Sequence, residues 1–567
     1  MSIAVAGRGP RQRTTAALVV VLALSACTPS IPGLPRTTPP ASSPLASPTA
    51  TFTFGSVADP PGLDPALASD TEAYRVTRQM MEGLVGVDPL TSEPAPLLAE
   101  SWQEQDDGRS YTFDLKSNVL FHDGEPFNSE AVCANFERWF TMPAAVQQTA
   151  PALAFKSVFT ALATDAKNSS YESCEALAPE RVRINLTERV TEFIPSLALP
   201  AFAMASPKAL DELVANKLTE TRGEGVRLSR FALAPVGTGP YRFVSWDDGV
   251  VVLDSFKDYW GARGEIKTIR FVTISHPDAR LRALTAGTID AYDLVTVDNA
   301  SELARRGFQL IQRDPYSVLY LGLNHEFPGV DDEKFRQAVA HAIDKPELIK
   351  GRFLSGTKPA ESFIPSKLGI GTDTLSAYEY DPELARDLLE ASGYDGAELP
   401  FYYPRNVARP YLPAPEKIYA ALSRQLTAVG FNLKPVPIDW TDNYLATVQS
   451  PGDRAFHLLG WSGSYQDPDN FVGTLFGARS DEFGFTDNQL FSKINRAKTL
   501  LPGDLRTEAY QGISEQISRK IPAVPLAFPV SGLAVSSRVA SYPVSPVMDE
   551  VFNRIDLTDV DTDPPTG

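Results

Sequence analysis

Gly460-Trp461-Ser462-Gly463-Ser464 comes one residue short of G-x-S-x-G, the strained strand-to-helix turn that raises a serine hydroxyl as a nucleophile. That turn needs glycine at its last position and a helix directly after it. Ser464 stands there instead, and Tyr465-Gln466-Asp467-Pro468 follows, so the pattern fails as a nucleophile turn. His457 lies too close in sequence and register to serve as the base. The five histidines, His122, His276, His325, His341 and His457, are scattered without metal-ligand spacing. The three cysteines, Cys27, Cys133 and Cys174, include no C-x-x-C pair. The chain is therefore read as a non-enzyme with no catalytic residues, no metal site and no cofactor.

The N-terminus carries a different kind of chemistry. Arg8, Arg11 and Arg13 precede an apolar run from Ala16 to Leu24, and small residues follow. This is the anatomy of a secretory signal, placed at residues 1–26. The run is shorter than the ~20 apolar residues that a spanning helix requires. Leu24-Ser25-Ala26-Cys27 resembles the bacterial lipobox, in which the signal is cut before the cysteine and its thiol is lipidated. Such a lipid tethers a protein to a membrane without spanning it. The competing reading is an ordinary signal with a chance cysteine. With Cys27 lipidated, Cys133 and Cys174 remain as an even pair. In an oxidising exterior a disulfide between them is the default, against two buried free thiols.

The elements that must position any site follow from composition and pattern. At 567 residues the chain exceeds one ordinary core, and 43% hydrophobic residues suffice for more than one. A net charge of −18 argues against nucleic acid, which needs a basic face. Residues 27–50 are rich in Pro, Ser and Thr and cannot bury enough surface to order themselves, so they read as a linker. Residues 557–567 read as an acidic, disordered tail. Between these limits, "TFTFGSVADP" opens as a strand, and "SYTFDLKSNVLFHDGEPF" reads as two strands around Asp123-Gly124. "EAVCANFERWF", capped by Asn128 or Ser129, "DDEKFRQAVAHAIDKPELIKG", "DPELARDLLEASGY" and "APEKIYAALSRQLTAVG" each read as one helix. "IKTIRFVTI", "YSVLYLGLN" and "RAFHLLGW" are continuous apolar runs suited to strands covered on both faces. The fold class is α/β with more than one lobe.

Four segments in order carry a family resemblance. "APLLAESWQEQDDGRSYTFDLKSNVLFHDGEPFNSEAV" (95–132), "PVGTGPYRFVSW" (235–246) and "LYLGLNHEFPGVDDEKFRQAVAHAID" (319–344) resemble extracellular solute-binding proteins of peptide-type ABC importers. "GWSGSYQDPDNFVGTLF" (460–476) is similar to the dipeptide-binding branch in particular. The resemblance implies a two-lobed periplasmic-binding-protein-like fold of class II type, with an enlarged first lobe, a cleft and two hinge segments. Residues 51–315 would form lobe I, 316–524 lobe II and 525–556 the return to lobe I. It implies capture of a short peptide or peptide-like solute and delivery to ABC permease subunits, as a monomer held to the membrane by its lipid alone. The alternatives are a non-peptide ligand, such as a sugar conjugate or metal chelate, and a scaffold lipoprotein with no role in transport.

A buried peptide must have both terminal charges met, and the resemblance assigns groups to that task. Arg409, in "NVARPYLPAPEKIY", matches the branch's carboxylate-binding site, where a planar fork donates two parallel hydrogen bonds. Pro410 and Tyr411 would line the pocket beside it. Trp461, Ser462 and Gly463 would form the other wall. Where the branch has an aspartate for the ligand's ammonium, this chain has Ser464, a neutral hydroxyl. Asp467 is the substitute if its loop turns it inward, or else the start of a turn. Ser69 matches a position that offers a small hydroxyl to the ligand backbone.

Overall fold

A computed structural model describes residues 49–558, except 69, 90, 148–153, 223–225 and 377. The signal, Cys27, Ser69 and residues 559–567 lie outside the described residues.

In Ala50–Ser56 the alternation of "TFTF" sends Phe52 and Phe54 into one core, both fully buried. This strand runs parallel to Ile266–Thr273 and Ala291–Asp293 inside a seven-stranded mixed sheet. The strand order is 241–247, 250–255, 266–273, 50–56, 291–293, 531–535, 309–313. A separate four-stranded antiparallel sheet, ordered 99–105, 110–115, 181–186, 171–178, packs against helix Ser129–Phe140 around Phe113, Phe136 and Trp139. Cys133 on that helix and Cys174 on the edge strand are joined in a disulfide, with 5.3 Å between their Cα atoms.

A second, six-stranded mixed sheet has the order 358–359, 523–528, 317–323, 456–462, 399–405, 433–439. The apolar run "YSVLYLGLN" explains its centre. Leu319, Leu321 and Leu323 enter one core, while Val318 and Tyr320 enter another on the opposite face. A strand covered on both sides has no polar face to show in its sequence.

Two short segments join the sheets. Strand Gln309–Arg313 ends in the first sheet and Ser317–Leu323 begins in the second, leaving residues 314–316 between them. The chain returns through Pro529 and Val530, between strands Ala523–Phe528 and Ser531–Val535. The return expected at residue 525 falls inside a strand, because Pro525 and Ala527 pair with Tyr320 and Leu319. Beside the outward crossing, Arg313 is fully buried and reaches Asp293 at 2.7 Å and Glu550 at 2.6 Å, and Arg75 meets Asp293 at 2.7 Å.

Three local expectations change. "DDEKFRQAVAHAIDKPELIKG" forms two helices, Glu333–His341 and Lys345–Ile349, not one. Asp344 caps the second, and Pro346 in its first turn has no N–H to continue the first. "SYTFDLKSNVLFHDGEPF" yields one strand, Ser110–Leu115, and only an isolated bridge from Leu120 to Pro126 around the turn. Both edges of that strand are already taken, by 99–105 and 181–186. At the far end, Leu557 pairs with Val539, so the ordered chain extends into the stretch expected to be tail.

Candidate functional site

The end of strand Phe456–Ser462 sits beside the outward crossing. Its register with Ser317–Leu323 pairs Ser317 with Ser462, and their hydroxyls lie 2.8 Å apart. The Gly463 N–H then donates to the Tyr316 carbonyl at 2.9 Å, which pins the following loop to the crossing segment. A methyl group at Gly463 would lie 2.5 Å from the Tyr316 ring, so this approach requires glycine. The same logic holds at Gly460, where a methyl would lie 2.4 Å from the Tyr411 ring. The loop carrying Arg409 is thus packed on the strand carrying Trp461.

That loop is a tight turn. The Arg409 N–H donates to the Leu412 carbonyl at 3.0 Å, and the Leu412 N–H returns the bond at 2.9 Å. The Arg409 guanidinium stacks 4.1 Å from the centre of the Trp440 ring, and its Nε is buried without a hydrogen-bond partner. Trp461 Nε1 is likewise buried and unpartnered. Each buried, unpaired donor costs ~1–3 kcal/mol, and of the two residues only Arg409 lines a cavity at this site. Burial pushes the Tyr411 hydroxyl up to about 12, against the pull of Arg409.

Facing this wall is helix Thr71–Thr77 of the first part of the chain. Asp70 caps it, with Oδ1 accepting from the N–H groups of Glu72 and Ala73, both at 3.0 Å. Its Oδ2 is buried and unpartnered. Burial raises the Asp70 carboxyl above its ordinary range, and Arg409 is among the groups that pull it back. The Asp-Thr-Glu sequence signals a cap, but nothing in it points to an arginine so distant in the chain. A cavity of about 70 Å³ lies between the two walls, lined among others by Tyr74, Arg78, Pro410, Ser462, Gly463 and Ser464. Arg409 lines a smaller neighbouring cavity, with Pro410, Val295 and Ser531.

Asp467 does not line either cavity. It is 5% exposed, pairs with Arg506 at 2.9 Å, and accepts the Asp469 N–H at 2.7 Å. Its carboxylate is taken up by Arg506 and by the turn that follows, so of the two roles set out for it the geometry matches the turn residue. Ser464 receives no such partner at its hydroxyl; its N–H donates to Asn470 Oδ1 at 2.8 Å. Among the described residues no group of three or more His, Cys, Asp or Glu could hold a metal ion. No helix among them is long and apolar enough to cross a membrane.

Residues 93–483 match the bacterial extracellular solute-binding proteins, family 5, over its middle region. The chain belongs to this family. The solute-binding protein is 27% identical to heme-binding protein A of Haemophilus influenzae over 528 residues, covering 89% of this chain and 92% of that one. It is 26% identical to the dipeptide-binding protein of Escherichia coli, covering 89% and 94%. Among solved structures it is similar to DppA of Helicobacter pylori in complex with the peptide STSA, with a TM-score of 0.78, 24% identity and coverage of 90% and 98%. That likeness shows the fold, the mixed-sheet α/β architecture of class II periplasmic binding proteins. Binding a solute, not transforming it, is the family's activity, and the failed serine turn agrees with it.

Proposed function

We propose that this solute-binding protein captures short peptides or peptide-like solutes for an ABC importer and hands them to its membrane permease. The two sheets with their helices act as lobes, and residues 314–316 and 529–530 act as the hinges between them. The peptide lies in the cleft between helix Thr71–Thr77 and the wall formed by Arg409–Tyr411 and Trp461–Ser464. The observation that carries this reading is the Arg409 guanidinium, stacked on Trp440 with a buried and unpartnered Nε. It is pre-oriented for a carboxylate, and a peptide's C-terminus is one. The peptide-binding relatives agree with this class of ligand. Lipidation of Cys27 holds the protein at the extracytoplasmic face; the basic residues, short apolar run and "LSAC" support that placement.

The test is calorimetric. Arg409→Ala should weaken binding of tri- and tetrapeptides with a free C-terminus about ten- to a hundredfold, the loss of one charged hydrogen-bonding group of ~1.5–3 kcal/mol. Peptides with an amidated C-terminus should bind parent and variant alike. Equal affinity for free-acid peptides in both proteins would remove Arg409 from the site.

A further inference from the structure

A larger cavity lies away from the cleft. About 550 Å³ of space lies within the second part of the chain, between helix Lys345–Ile349, helix Asp504–Lys520 and residues 359–363, 372–376 and 378–380. It shares no lining residue with the two cavities at the crossings. Its size falls within the ~300–1,000 Å³ typical of pockets for small organic ligands. Ile343, Phe363, Val472, Ile517 and Ile521 give it an apolar wall, each no more than 3% exposed.

Two polar groups interrupt that wall. Ser514 is 4% exposed, and its hydroxyl is buried without a hydrogen-bond partner. Lys345 donates from Nζ to the Ala360 carbonyl at 2.8 Å and forms no ion pair among the described residues. Burial pulls its ammonium down to about 8, with only the charge of Glu361 acting to raise it. The other carboxylates at the wall are otherwise disposed. Asp344 caps its own helix through the Glu347 N–H, and Glu361, Asp373 and Glu379 are exposed to water at the mouth, where screening weakens them.

We propose that this cavity is a second ligand site, which takes a small apolar molecule with a single carboxylate head. The tail lies against Phe363, Ile517 and Ile521. The head accepts from the Lys345 ammonium and the Ser514 hydroxyl, which removes one unmet donor and one uncompensated charge together. The proposal does not rest on which solute the cleft takes.

Octanoate is the probe, titrated calorimetrically into the full chain. One octanoate should bind per molecule, with proton uptake near pH 8 as Lys345 becomes fully charged, seen as a buffer-dependent heat. Lys345→Met should weaken it at least tenfold. Ser514→Phe, which fills the cavity from the long helix, should abolish it while the far-ultraviolet circular dichroism stays unchanged. Arg409→Ala should leave it intact. No binding to the parent protein, binding unaffected by both cavity variants, or binding lost in Arg409→Ala would each overturn the proposal, the last by placing octanoate in the cleft.

Discussion

In the proposed site Ser464 stands where the resemblance to the dipeptide-binding branch implies an aspartate for the ligand's ammonium, and Asp467 does not restore that charge. Asp467 is engaged by Arg506 and by the turn that follows it. A hydroxyl accepts a hydrogen bond but balances no charge, so peptides with an acetylated N-terminus should bind within a fewfold of their free-amine counterparts in calorimetry. A preference above tenfold for the free amine would point to Asp70, whose Oδ2 is the buried, unpartnered carboxylate oxygen at the facing wall. Asp70→Asn would then erase the preference while keeping the helix cap, because asparagine caps as well as aspartate.

At the scale of elements, the proposed cleft wall depends on close approaches that only glycine permits, at 460 beneath Tyr411 and at 463 beside Tyr316. The outlying four-stranded sheet is tied differently. Its edge strand Tyr171–Ala178 is held to helix Ser129–Phe140 by the Cys133–Cys174 disulfide, which closes a loop with a sequence separation of 41. Loop-closure entropy for such a span corresponds to about 4 kcal/mol, and measured losses on removing a native disulfide run ~2–5 kcal/mol. Replacing both cysteines by serine should lower denaturant stability by that range, read as a shifted midpoint in urea. Thiol labelling of the folded parent without reductant should find neither cysteine.

Across the whole molecule, the two parts of the chain also meet away from the two crossing segments. Thr191 donates from N–H and Oγ1 to the carbonyls of Lys498 and Leu500, at 3.3 and 2.9 Å. Next to it, Glu192 is 2% exposed, and burial together with the charges of Asp469 and Asp467 raises its carboxyl to about 8. Lys498, paired with Asp469 at 3.3 Å, and Arg506 offset part of this, and the phenols of Tyr465 and Tyr510 complete the cluster. An acid whose folded value lies above its ordinary 4.5 keeps its proton in the folded state after the unfolded chain has released it. Stability is therefore lost as pH rises from about 4.5 to about 8, and the loss is complete above that. Glu192→Gln, a neutral mimic of the protonated acid, should match the parent's thermal midpoint near pH 4.5 and exceed it progressively toward pH 8 in calorimetric scans. Parallel pH profiles for the two proteins would show that Glu192 does not carry this dependence.

Much was legible from sequence because the signals were local. The cap at Asn128, the left-handed Gly430 that ends helix Pro415–Val429, and the apolar run at 317–323 each place an element without reference to distant residues. The family resemblance was equally a property of contiguous segments. Other features depended on partners far along the chain. A bridge replaced a strand because both neighbouring edges were already occupied, whereas the helix split at Asp344 and Pro346 is a local signal masked by apolar spacing that continues through it. Asp70 reads as an ordinary helix cap until Arg409 is brought across from the other sheet, and Asp467 reads as a candidate ligand group until Arg506 reaches it. Sequence by itself determined most of the elements and the family they belong to, because hydrogen-bonding periodicity and turn chemistry act over a few residues. Which charges are left open to a solute was decided only by tertiary structure, because burial and ion pairing depend on what the fold sets beside each group.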